Sequence, residues 1–278
     1  MRIWLRSFLL LAVLGTVMVT HAEPLQVVYP RAVSERDTRA TYYVRLLDLV
    51  MRKSGQPYVL QPYALPTVGS RMIYQLANNT QLTVIWAPST QELNRLLTAV
   101  PISIDKGILG WRLLLINKTE GAAFAKVRTL DQLRQLKAGL DRDWADTFIL
   151  RANGMPVVDA VGYDGLFHML AAGRFAYFPR GAAEVWGEAE RFAGLGLMVE
   201  PRLALHYPMN TYFFVNKSNA TLKSALEQGL RVAMEDGSFE RLFEEYNGAA
   251  LRRARLSERT VFELALPTQP CPQCPAPR

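Results

Sequence analysis

Short apolar runs alternate with amphipathic stretches of helical spacing from residue 25 to residue 246, and this alternation confines the chain to layered α/β folds in which helices cover sheets. Residues 25–29 are strand-like. A helix is expected from about Asp37, with Tyr43, Leu46, Leu47 and Val50 at i, i+3, i+4 and i+7, and it should stop at Gly55. Residues 58–63 read as a second strand, 70–78 as a helix and 82–86 as a third strand. Ser89-Thr90-Gln91-Glu92 has the pattern of a capping box and opens a helix carrying Leu93, Leu96 and Leu97. The long apolar run 111–116 closes this first set.

A second set follows. Thr129 and Gln132 cap a helix, 137–140 gives a short strand, and a helix from about Asp143 to Gly154 repeats the spacing through Ala145, Phe148, Ile149 and Ala152. Further strands are expected at 157–161, 175–178 and 197–200, with helices at 164–172 and 182–192. The strand 212–215 leads into a helix with Leu222, Ala225, Leu226, Leu230 and Ala233, and Phe239, Leu242, Phe243 and Tyr246 stripe a closing helix. With 278 residues, half of them apolar, the chain has the material for about two domains.

The net charge of +7 is concentrated at the ends. Arg2 and Arg6 lie in an acid-free leader, and five arginines after Leu251 face only Glu258 and Glu263. Between Glu23 and Ala250 there are 25 basic and 23 acidic residues, too even a balance for a nucleic-acid footprint. Residues 1–22 combine a positive start, an apolar run over 7–19 and Thr20-His21-Ala22, which reads as a cleaved export signal and places the mature chain in the periplasm. Cys271 and Cys274 are the only cysteines. They are expected to close a local disulfide, with an interchain link, free thiols, or metal or redox work as alternatives.

Open α/β sheets hold ligands beyond the carboxyl ends of their strands, so four loops are candidates for a site. They contain Tyr29 and Arg31; Trp86, Ser89 and Thr90; Arg142 and Trp144 before a helix; and Arg180. Guanidinium forks and helix N-termini both favour a carboxylate or phosphate, so an anionic organic solute is expected. No cofactor or metal is called for. His168 and His206 lack the neighbours of a catalytic or zinc motif, and His168 reads as a packed or surface residue.

The order of export signal, α/β lobe, crossing, second lobe, return and final helices resembles the type II periplasmic solute-binding proteins, in particular the extracellular family 3 group associated with amino-acid uptake. The resemblance runs from about Leu25 to Asn247 and is most recognisable at 86–95, 101–116, Tyr212-Phe-Phe-Val-Asn-Lys217 and 222–243. It implies a first lobe of residues 25–116 plus 212–248 and a second of 117–211, while residues 251–278, which follow the closing helix and are Pro-rich after Leu266, read as a tail that binding does not need. It also implies that a first-lobe arginine grips a ligand carboxylate. Here Arg95 is the nearest match, two positions late in Thr90-Gln-Glu-Leu-Asn-Arg95, and Ala176 stands near the place of the usual acid for an α-amine. A divergent member is expected, a monomer that binds a small molecule between lobes closing about two crossings and is read by an inner-membrane permease or a sensor protein. Some periplasmic dehydratases of cyclohexadienyl acids resemble the same fold, which leaves an enzyme as the remaining alternative.

Overall fold

The computed structural model describes residues 23–31, 40–66 and 69–267. The expected export signal and the Cys271/Cys274 pair lie outside the described residues. The first lobe begins with β1 (Leu25–Arg31), α1 (Thr41–Lys53), β2 (Tyr58–Pro66), α2 (Gly69–Ala77), β3 (Val84–Pro88), α3 (Gln91–Leu96) and β4 (Thr98–Ala99). β1 and β2 pair in parallel, and Val28 joins them to the segment before β3 through its carbonyl, which accepts from Thr83 N at 3.0 Å. α1 is described from Thr41 onward, four residues past the expected start at Asp37. Thr90, rather than Ser89, caps α3 by accepting from Leu93 N.

The second lobe runs from β5 (Trp111–Asn117) through α4 (Gly121–Phe124), α5 (Leu130–Leu133), β6 (Ala138–Asp141), α6 (Ala145–Ala152), β7 (Val157–Ala160), α7 (Tyr163–Ala171), β8 (Tyr177–Gly181) and α8 (Val185–Arg191) to β9 (Leu197–His206). Its six-stranded sheet has the order β11-β9-β5-β8-β6-β7, where β11 is a late strand, Thr260–Glu263. β5 was expected in the first lobe, but it lies antiparallel to both β8 and β9 at the heart of this second sheet. Its run of buried Leu113, Leu114, Leu115 and Ile116 needs cover on both faces, which only an interior strand receives. The outward crossing is therefore the segment before Trp111.

The chain returns through β10 (Thr211–Val215), which pairs antiparallel with β3 and β4, and continues as α9 (Ala220–Glu235) and α10 (Ser238–Phe243). Asp105 ties the outward crossing to the return by accepting from Thr211 N at 3.1 Å and Thr211 Oγ1 at 2.7 Å. Gly110 lies so close to the return segment that a Cβ there would sit 2.0 Å from the carbonyl oxygen of Tyr207.

The expected tail from Leu251 is corrected most. A π-helical turn, Glu244–Gly248, leads from α10 into α11 (Ala249–Ala254), and β11 then pairs in parallel with β9. Ala254, Phe262 and Leu264 are buried in the second lobe's core. The arginines read as a loose basic cluster are engaged: Arg252 with Glu244, Arg253 with Glu190, Arg255 with Glu258. Arg259 donates to the carbonyls of Ala254, Glu200 and Leu203. No helix among the described residues is long and apolar enough to cross a membrane.

Candidate functional site

An aromatic face marks the first lobe where the crossings meet it. The Tyr43 ring, from α1, stacks on Trp86 at 5.6 Å and 15°, and Tyr29 lies 6.3 Å from Trp86. The Thr211 side chain, which donates to Asp105 at 2.7 Å, lies close to the Tyr43 hydroxyl. Burial, then the charges of Asp105 and Glu184, push that hydroxyl well above its ordinary pKa, so it stays protonated. Glu184 and Arg112 belong to the second lobe, and Tyr43 lies near enough to both for their charges to act on its hydroxyl.

Opposite lies a buried mixed-charge cluster. Arg112, on β5, donates from Nε to Tyr207 Oη at 2.7 Å and from Nη2 to Asp146 Oδ2 at 3.0 Å, and the Tyr207 hydroxyl in turn donates to Asp146. Burial lowers the Arg112 pKa, but Asp146 and Tyr207 more than restore it. Arg180, at the end of β8, forks onto Glu188 at 2.7 and 2.6 Å and reaches Glu184 Oε2 at 3.1 Å. Its guanidinium lies 4.9 Å from the ring centres of Trp144 and Phe178, and Tyr163 Oη donates to Glu188 Oε1 at 2.6 Å. A Cβ on Gly181 would sit 2.9 Å from Glu184 Oε2 and 3.3 Å from Arg112 Nη1, so the two charged groups converge beside that glycine.

The residues expected from the sequence separate into three groups. Tyr29 and Trp86 join the first-lobe face, and Trp144 and Arg180 join the second-lobe cluster. Arg180 is not a free anion clamp, since two carboxylates neutralise it inside a nearly dry environment. Away from the cleft, Arg142 donates to Asp159 at 2.7 Å, Ser89 accepts from Asn94 Nδ2 at 2.8 Å and Thr90 is spent on its helix cap. Arg95 is exposed, and its carbonyl accepts from Lys217 Nζ. Arg31 is exposed too and lines a surface cavity of about 270 Å3 with Thr41, Arg45 and Tyr29, so that Tyr29 borders both this cavity and the aromatic face. Sequence reasoning missed Arg112, Tyr207, Tyr43, Glu184 and Glu188, and offered Asp146, with Asp143, only as a substitute acid for an α-amine. Arg112 was readable as the one charge inside the run 111–116, and Glu184 and Glu188 as acids spaced four and eight residues after Arg180. Among the described residues no group of three or more His, Cys, Asp or Glu could hold a metal ion.

No protein-family model matches the chain, and no curated protein matches it. Solved structures do. The arginine-, lysine-, histidine-binding protein ArtJ of Geobacillus stearothermophilus is 14% identical with a TM-score of 0.57, over 81% of this chain and 96% of that one. The fold is that of the two-lobe periplasmic binding proteins. The GluR0 ligand-binding core of Nostoc punctiforme, in complex with glutamate, is 13% identical over 80% of this chain and 99% of that one, with a TM-score of 0.57. A histidine kinase sensor domain with similarity to periplasmic binding proteins is 16% identical over 82% and 97%, with a TM-score of 0.60. At such identities the likeness shows the fold alone.

Proposed function

We propose that the chain binds a small organic solute bearing an amine, an amino acid or a related compound, in the cleft between Tyr43 and Trp86 of the first lobe and Arg112 and Glu184 of the second. The observation that carries this reading is the charge balance of the second-lobe cluster. Asp146 and Glu188 are each saturated by an arginine, whereas Glu184 holds Arg180 through one longer contact and is about a quarter exposed. Among the described residues of this cluster the acids thus outnumber the arginines by one, and both of its arginines are already paired. A cationic group placed there would gain both the carboxylate and the aromatic face. The amino-acid ligands of the similar structures support the same class of solute.

In this reading the leader is removed, the protein works in the periplasm as a monomer, and it binds without turning the solute over. Delivery to an uptake permease is the first reading, and the likeness to ArtJ, an arginine-, lysine-, histidine-binding protein, supports its binding step. A receptor role is the second reading, favoured by the likeness to a histidine kinase sensor domain. A thermal-shift screen of residues 23–278 tests the solute class. A ligand that binds only the folded state contributes about 2.7 kcal/mol at a hundredfold excess over Kd. Arginine, lysine or another amine-bearing solute should raise Tm, and its deaminated analogue should not. Stabilisation by dicarboxylates alone would reverse the assignment of charge, and conversion of an added cyclohexadienyl acid would turn the reading towards catalysis.

A further inference from the structure

The helical run that starts at Ser238 begins in one lobe and ends in the other. Phe239 and Phe243 belong to the first lobe's core, and Lys106, on the outward crossing, lies 4.7 Å over the Phe243 ring while bonding Glu240 at 2.9 Å. Leu251 packs against both cores, and Ala254, Phe262 and Leu264 are in the second. α11 is pinned to α8 by Trp186 Nε1 donating to Ala250 O at 3.0 Å and by Arg253, which pairs with Glu190 at 2.8 Å and covers the Trp186 ring at 4.4 Å. Between the two anchored ends lies the π turn Glu244–Gly248, where a Cβ on Gly248 would sit 2.1 Å from Glu244 Oε1.

Two neighbouring crossings that are hydrogen-bonded to each other, as Asp105 to Thr211 and Gly110 O to Tyr207 N are here, make a single hinge line about which two bodies can swing. A third covalent connection anchored on both bodies removes that freedom unless it bends or lets go. The extra residue of a π turn breaks the i to i+4 ladder locally, which makes this turn the place to bend. The side-chain contacts of α11 with α8 are the place to let go.

We propose that residues 238–264 form a strap that sets the opening angle of the cleft, and that the lobes open by releasing α11 from α8 at Trp186 and Arg253, with the π turn as the flexing point. Spin labels test this on the full chain, with Cys271→Ser and Cys274→Ser as background. Tyr74→Cys and Val161→Cys carry the labels, one in each lobe, at side chains 66% and 76% exposed. Without added solute the interlobe distance distribution should be narrow. Trp186→Ala with Arg253→Ala should broaden it toward longer distances and raise the open population at least threefold. Glu190→Arg, a surface change that sets like charges against Arg253, should act in the same direction even where the double variant folds poorly. A distribution unchanged from the parent in a folded variant would overturn the strap, whatever solute the protein proves to bind.

Discussion

Arg112, Asp146 and Tyr207 show how much of the site depends on groups that are individually costly to bury. A buried ion pair contributes little relative to apolar residues of the same shape, but removing one partner strands the other at about 3–5 kcal/mol. Asp146→Asn should therefore lower stability by roughly that amount, while Tyr207→Phe, which loses hydrogen bonds to charged groups, should cost about 1.5–3 kcal/mol in urea denaturation. Gly110 makes a sharper case, because the clashing atom is backbone. Overpacking of this kind costs about 1–3 kcal/mol or more, so Gly110→Ala should destabilise the hinge measurably. If Gly110→Ala melts like wild type, the two crossings are not packed as described. Residue types told which side chains could carry charge chemistry, but not which were already paired. Arg180 reads from the sequence as a clamp and Arg112 passes unmarked inside an apolar run, yet each proves to be half of a buried ion pair.

Elements with strong periodicity were legible, and those held by distant partners were not. α1, α9 and β5 follow directly from their apolar spacing, and Thr129 forms the full capping box that its spacing from Gln132 predicts. β11 has only four residues, and its sole strand partner, β9, lies more than fifty residues earlier. Nothing local distinguishes such an edge strand from an irregular tail. The arginines around it read as the basic excess of a tail because partners such as Glu190 and Glu200 are remote in sequence from them. Truncation after Ala250 should consequently unfold part of the second lobe. Burial of Phe262 and Leu264 alone is worth roughly 3–6 kcal/mol, and the unprotected edge of β9 would favour aggregation. A truncated chain with the wild-type Tm would return residues 251–264 to the status of a tail.

At the scale of the whole molecule, the proposed binding face divides unequally between the lobes. The first lobe contributes rings and a hydroxyl, the second contributes the charges, and a solute that touches both stabilises the closed arrangement by its differential affinity for it. The layered fold and its two-lobe plan were legible in the sequence because strand and helix periods are local. The division of labour was not, since it depends on which side chains the crossings bring face to face. Native mass spectrometry of residues 23–278, purified without denaturation and then supplied with arginine, lysine and glutamate in turn, tests the central claim most directly. The account predicts a one-to-one adduct with an amine-bearing solute that Trp86→Ala and Glu184→Gln each weaken at least tenfold. A bare mass under every condition, or an adduct indifferent to both substitutions, would contradict it.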